Sequence, residues 1–194
     1  VPTLVAPLKG ASPQIVSPLL IDDASGLELP AQRLNGVGMP RPVYGAAETN
    51  PFPVDVVIAS GTAATSGVFD VAGLMDEDLF IDHVDTEWCL RCRGNGVPIH
   101  VVPTAVMRHT IGKPLAALPI VTVPLHDPTR CYYQIRNSLL LFRWTHVPFL
   151  FALRETLSIL WNRLALLFLV ENKSAYLRAF IEGGFDGLRG VVGK

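Results

Sequence analysis

The chain has 194 residues, 49% apolar and 17% charged, with a formal net charge of −1, a pI near 6.6 and a mean hydropathy of +0.36. That length suits one domain with a full core, and a near-neutral charge supplies no broad basic field, which argues against a nucleic-acid partner. The apolar excess is at the upper edge for a water-soluble protein and lies in the last quarter of the chain, which points to a membrane surface.

The chain opens at Val1 without a basic-then-apolar secretion signal, and it reads as a fragment. Residues 1–13 predict a short helix broken by Pro7 and Pro13, followed by a strand over 14–20 that ends at Asp22-Asp23-Ala24-Ser25-Gly26. Residues 30–53 are rich in Pro, Gly and Asn and predict a long irregular connection, since each proline removes a ladder donor. Val54 to Ala59 predicts a buried strand ended by Ser60-Gly61, and a short helix over about 65–73 is closed by Gly73.

A helix then runs from Asp82 or Asp85, either of which could cap it, to about Arg93, ended by Gly94 and Gly96. On it Asp85, Trp88, Cys89 and Cys92 share a face, and Glu87 and Arg91 stand at i and i+4 in the favourable order. The three cysteines show no disulfide framework, so a reducing cytoplasm fits. Cys89-x-x-Cys92 lacks a second ligand pair and reads as two small apolar groups on a helix face.

Pro98–Pro103 alternates as a strand, leading to His109 where the chain changes direction before Gly112 and Pro114. Residues 130–145 and 148–172 are helical in period. In the latter, Leu150, Leu153, Leu157, Leu160, Trp161, Leu164, Leu167 and Phe168 form a wide apolar stripe. Arg154, Glu155, Asn162 and Arg163 interrupt it. An interfacial or oligomer-forming helix is expected there rather than a membrane span.

The most informative segment is DEDLFIDHVDTEWCLR, residues 76–91, which packs six carboxylates into sixteen residues. Carboxylates crowded among apolar residues repel one another and are costly to desolvate, so such a cluster marks a site where a proton, metal or cation uses it. This string, with VPIHVVPTAVMRHTIG and CYYQIRNSLLLFRW downstream, resembles the signature of bacterial family-two glycosyltransferases of the rhamnosyltransferase type. The resemblance runs from about Gln14 to Trp144. The terminal GGFDGLRG is a weaker echo of rhamnolipid-forming enzymes.

The resemblance implies a partial GT-A-like α/β domain over residues 1–128, a mixed sheet with flanking helices, and a helical extension over 129–194. It places Asp85 at the catalytic base, with a helix cap as the plain alternative. Glu87 would orient an acceptor hydroxyl or simply pair with Arg91, with Trp88 beside it. Ser60-Gly61 would line the sugar and acceptor pocket, where a missing side chain allows close approach. His109 would help coordinate a divalent cation, Mg or Mn, on the donor diphosphate. Arg136, with Asn137, would face the diphosphate or the acceptor, or lie on a helix surface.

No Asp-x-Asp of the family's cation-binding type precedes the strand at Gln14. The resemblance therefore implies the acceptor-binding and catalytic-base half of an enzyme, inactive alone. The expected function is inverting transfer of L-rhamnose from dTDP-rhamnose to a lipid-linked or glycolipid acceptor at the cytoplasmic face of the inner membrane. A galactofuranosyltransferase and a non-catalytic membrane-docking or interaction module are the alternatives.

Overall fold

A computed structural model describes residues 1–8, 12–110, 113–115, 123–125, 127–170 and 172–194. The chain divides into two compact units: Val1–Met75 with Asp85–Thr110, and Asp76–Val84 with Ile111–Lys194. The division runs through the acidic block, whereas the sequence placed a boundary at residue 128.

In the first unit, helix α1 (Pro2–Val5) precedes strand β1 (Ile15–Asp22), which pairs in parallel with the long strand β7 (Ile99–His109). Strand β2 (Glu28–Leu29) and β6 (Ala63–Ala64) pair antiparallel with β1, and β5 (Phe52–Val54) pairs antiparallel with β7. The result is a five-stranded mixed sheet, as the expected mixed α/β class requires. Ile15 faces Ile99 and Pro18 faces Val102, but Leu19 faces Val106. The shift comes where Pro18 in one strand and Pro103 in the other lack ladder donors. Beyond it the register resumes and brings His109 opposite Asp22.

The segment expected to be irregular, residues 30–53, contains a hairpin of β3 (Ala31–Leu34) and β4 (Pro40–Val43). Pro40 and Pro42 alternate along β4, opposite Leu34 and Gln32. Both missing donors therefore fall on the side turned away from the partner strand, and the ladder survives. The strand expected from Val54 to Ala59 is also revised: only Phe52–Val54 pairs as a strand. Val56 and Val57 are buried beyond it, and Val56 makes one isolated bridge to Gln32. Asp55 draws this segment inward, accepting from Leu34 N at 2.6 Å and from Arg93 Nε at 2.7 Å.

Helix α2 (Gly67–Ala72) ends at Gly73, and helix α3 (Val84–Gly94) follows the acidic loop. Ile15, Val16, Val68, Leu90, Cys92 and Ile99, each at most 2% exposed, belong to the core of this unit.

Among its described residues the second unit holds the acidic loop, a small hairpin, β8 (Lys113–Leu115) with β9 (Val123–Leu125), and three longer helices. Helix α4 (Pro128–Leu140) starts at an Asp127 cap that accepts from Arg130 N, with Pro128 in its first turn. A single turn of 3₁₀ helix (Leu141–Arg143) follows it, then α5 (Phe149–Leu169) and α6 (Lys173–Arg189). Helix α6 lies close to α4 because two of its residues lack side chains. A Cβ at Gly183 would stand 2.7 Å from the Tyr132 carbonyl oxygen, and one at Gly187 would stand 2.8 Å from that of Arg136. Among the described residues no helix is long and apolar enough to cross a membrane. Gly112 lies outside the described residues, as does the side chain of Phe168.

Candidate active site

In the first unit, Asp85 sits in the first turn of α3. Its Oδ1 accepts from Thr86 N at 2.8 Å and its Oδ2 from Ala59 N at 3.2 Å. The first bond satisfies one of the helix's orphan donors. The second fastens the carboxylate to the turn holding Ser60 and Gly61. That turn is closed by Thr62 N donating to Ala59 O at 3.0 Å, with Gly61 at φ +72°. The Gly61 position needs left-handed backbone, and an added Cβ would meet Met107 Sδ at 2.5 Å. Conformation and packing alone therefore require this glycine, whatever approaches it from outside.

Ser60 Oγ stands 3.5 Å from His109 Nε2. The unit thus gathers Asp85, Ser60-Gly61 and His109, all named from the sequence, around one turn. His109 would supply a single imidazole to a divalent cation. Among the described residues no group of three or more His, Cys, Asp or Glu side chains could hold one. His109 is thus a single candidate ligand, and no chemical step is derived through a metal.

Glu87 takes the second of its two expected roles, the pair with Arg91, whereas Trp88 is placed differently from the expectation. Glu87 is 1% exposed, and Arg91 grips its two oxygens at 2.9 Å each. Arg91 also donates to Ala72 O at 2.6 Å, and the buried Trp88 donates its Nε1–H to Gly73 O at 3.0 Å while stacking on Phe69. These side chains satisfy carbonyls left over at the end of α2. An acceptor-orienting role for Glu87 gives way to the salt bridge, and Trp88 packs into the unit rather than offering a face to sugar.

In the second unit, the acidic loop takes a strained course. Asp76 caps a 3₁₀ turn, Glu77–Leu79. Phe80 then adopts φ 60° and ψ −61°, with Ile81 N donating to Leu79 O at 2.7 Å, which makes a γ-turn of the rare, strained hand. Asp82 and His83 both follow at φ 62°. Three consecutive or near-consecutive positive-φ residues without a glycine cost roughly 1–3 kcal/mol each and persist only where the surroundings over-determine them.

The surroundings here are Arg136 and Asn137. Asn137 Nδ2 donates to the carbonyls of Leu79, Ile81 and Asp82 at 2.8, 2.7 and 3.0 Å. Arg136 Nη2 donates to Asp78 O and Leu79 O at 3.0 and 3.1 Å, Nη1 to Gly193 O, and Nε to Asn137 Oδ1. Arg136 is 1% exposed and lies over the Tyr133 ring. Its guanidinium is occupied by main chain, so the expectation that it reaches a diphosphate is corrected. Arg130 completes the arrangement by gripping Asp82 through both oxygens at 2.9 Å, a pair that raises the arginine's pKa through that hydrogen bond. Nothing in the sequence signalled the Asp82 pairing, because the partners are 48 residues apart.

No family model matches the sequence, and no solved structure matches it. A dTDP-rhamnosyl transferase of Shigella flexneri, RfbF, is 37% identical over 180 residues, covering 93% of this chain and 61% of the relative. The chain thus spans about three-fifths of that relative's length. The resemblance first carried by the acidic block extends over nearly the whole chain: it is similar to a rhamnosyltransferase-type glycosyltransferase, borne on a mixed α/β unit followed by helices.

Proposed function

We propose that this chain carries the catalytic base of an inverting glycosyltransferase that moves L-rhamnose from dTDP-rhamnose to a glycan or glycolipid acceptor. One observation carries the assignment within the acidic block. Asp82 is gripped by Arg130, Glu87 by Arg91, and Asp76 caps its own turn. Glu77 and Asp78 are exposed. Asp85 alone is half-buried and held by two main-chain N–H groups, with no cation paired to it among the described residues. A base must be fixed in place yet keep its charge unspent, and Asp85 meets both demands.

In the proposed reaction the acceptor hydroxyl donates to an Asp85 oxygen, which still has lone pairs beyond the two already used. As the acceptor oxygen attacks the anomeric carbon, its proton passes to Asp85. The bond from that carbon to the donor diphosphate breaks on the opposite face, which inverts the configuration. Ser60 and Gly61 stand beside the base to line the acceptor's approach, and Ser60 couples that turn to His109. A divalent cation on the diphosphate belongs to the proposal with His109 as one ligand. An unchanged Mg or Mn titration in His109→Ala enzyme removes it.

Association with the cytoplasmic face of a membrane is proposed from α5. Phe149, Leu157, Trp161 and Leu164 there are between 43% and 71% exposed. The donor decides the central reading. In the complete enzyme, dTDP-rhamnose is expected to be consumed in an acceptor-dependent way with inversion, while UDP-galactofuranose is not. Turnover of the galactofuranose donor alone would reassign the sugar, and turnover of neither would leave a non-catalytic module.

A further inference from the structure

The paired tyrosines of the CYYQIRN segment take no part in the proton transfer derived above. Both lie on α4, and both rings are fixed by neighbours in the second unit. Tyr132 donates its hydroxyl to Asp186 Oδ2 at 2.7 Å and meets the Tyr133 ring edge-on at 5.0 Å between centroids. Phe80 packs on the Tyr133 ring at 4.9 Å. On α6, Gly187 and Gly183 lie against the main chain of α4, and the same row of every fourth residue continues as Ala179 and Ala175. There, among the described residues, the tyrosines and alanines line an open groove of about 370 Å³ between the two helices, within the roughly 300–1,000 Å³ of small-molecule sites.

Arg178 and Glu182 stand one turn apart at the same groove, both exposed. They are at i and i+4 with the cation N-terminal, the weaker order, and among the described residues neither is paired with the other or with any other charge. The groove therefore offers a donor group, an acceptor group and an apolar lining of rings and methyls. A phosphate would be repelled by Glu182 and an ammonium by Arg178, and a hydrocarbon chain would strip water from both charges without replacing it. A saccharide matches all three features, since each hydroxyl both donates and accepts and the ring C–H faces are apolar.

We propose that this groove is a holding site for the acceptor glycan, carried by the helical unit itself. The proposal takes its ligand from the transferase reading and rests on it to that extent. Tyrosines fixed in advance lose little freedom on binding. A glycan held here stays with the enzyme between encounters with the base, so the site acts on the affinity of long acceptors and not on the chemical step.

The probe is a rhamnose-ended trisaccharide, the kind of end the proposed reaction creates. Titrated into this chain, it is expected to shift the amide resonances of residues 128–133 and 175–182. Arg178→Ala and Glu182→Gln, both at exposed positions, are each expected to weaken that binding about tenfold with the fold retained. In the complete enzyme the same variants are expected to raise KM for a long glycan acceptor about five- to tenfold, with kcat and the KM for a monosaccharide acceptor as in wild type. Groove resonances that the trisaccharide leaves in place, or that inorganic phosphate or triglycine moves more strongly, overturn the site. Variants that lose trisaccharide binding yet keep the wild-type KM for the long acceptor overturn its part in holding the acceptor. A wild-type enzyme that transfers no rhamnose while the groove and its variants respond as expected overturns the transferase reading and leaves a saccharide site standing.

Discussion

Replacing Asp85 by asparagine separates a base from a helix cap. The amide oxygen of the new side chain can keep the Thr86 N–H bond, now 2.8 Å, but its NH₂ then faces the Ala59 N–H, now 3.2 Å from Oδ2. One hydrogen bond is lost and two donors confront each other at a half-exposed position where water can intervene, a cost of about 1 kcal/mol. A domain with ordinary stability of about 5–15 kcal/mol remains folded after that loss. Removing a positioned base lowers turnover about 10²–10⁴-fold, which is roughly 3–5 kcal/mol on the barrier. The two effects therefore differ both in size and in readout. Thermal unfolding of this chain reads the first, and single-turnover transfer from labelled donor in the complete enzyme reads the second. A folded Asp85→Asn enzyme within about tenfold of wild-type turnover would show that the carboxylate only caps α3.

Glu87→Ala strips the carboxylate from a buried pair and is expected to destabilise by about 3 kcal/mol, with acceptor KM unchanged; denaturant unfolding that finds no loss would return Glu87 to the acceptor site. Burial pushes the Cys89 thiol up to about 12 and the Cys92 thiol up to about 11, against 9.0 for an unperturbed thiol. The unfolded chain therefore sheds these protons first, and stability should be intact below pH 9 and decline between pH 9 and about 12, as unfolding midpoints measured against a Cys89→Ala/Cys92→Ala control will reveal. Gly187→Ala forces a Cβ against the Arg136 carbonyl and Leu139, so overpacking of about 1–3 kcal/mol should outweigh the roughly 1 kcal/mol gained in helix propensity. A raised melting temperature would contradict that contact. Trp161 and Leu164 lie exposed on α5. Changing both to aspartate should abolish flotation of this chain with anionic liposomes without unfolding it, and a wild-type chain that never floats ends the membrane proposal.

The elements most visible in the sequence were those with one dominant cause. Strand β1 and the helix ending at Gly94 follow from period and punctuation, and both formed where expected. The hairpin of β3 and β4 was missed because prolines were counted without their phase; at alternate positions they remove donors from one side only. Helix α5 shows the converse limit. Its buried face carries Phe151, Ala152, Thr156, Arg163 and Leu166, while the stripe picked out by apolar period includes the exposed Leu157, Trp161 and Leu164. A helix apolar on more than one side has no single stripe, so period alone cannot say which face a neighbour covers.

The candidate site divides in the same way. Composition drew attention to the acidic block, and resemblance singled out Asp85 within it, but the partners that distinguish its carboxylates come from distant parts of the chain. Arg130 takes Asp82 and Ala59 N–H takes Asp85. The Arg136-Asn137 pair was conspicuous as a motif, and a guanidinium beside an expected phosphate site suggested an anion as its target. The strain at Phe80, Asp82 and His83 was invisible, because none is glycine and no local rule demands positive φ there. A loop that runs in neither helix nor ladder draws on donors from elsewhere, and a fork next to an amide is a donor set matched to several carbonyls at once. The motif then holds the main chain of residues 78–82, and the carboxylate at the start of α3 is held separately by Ala59 N and Thr86 N.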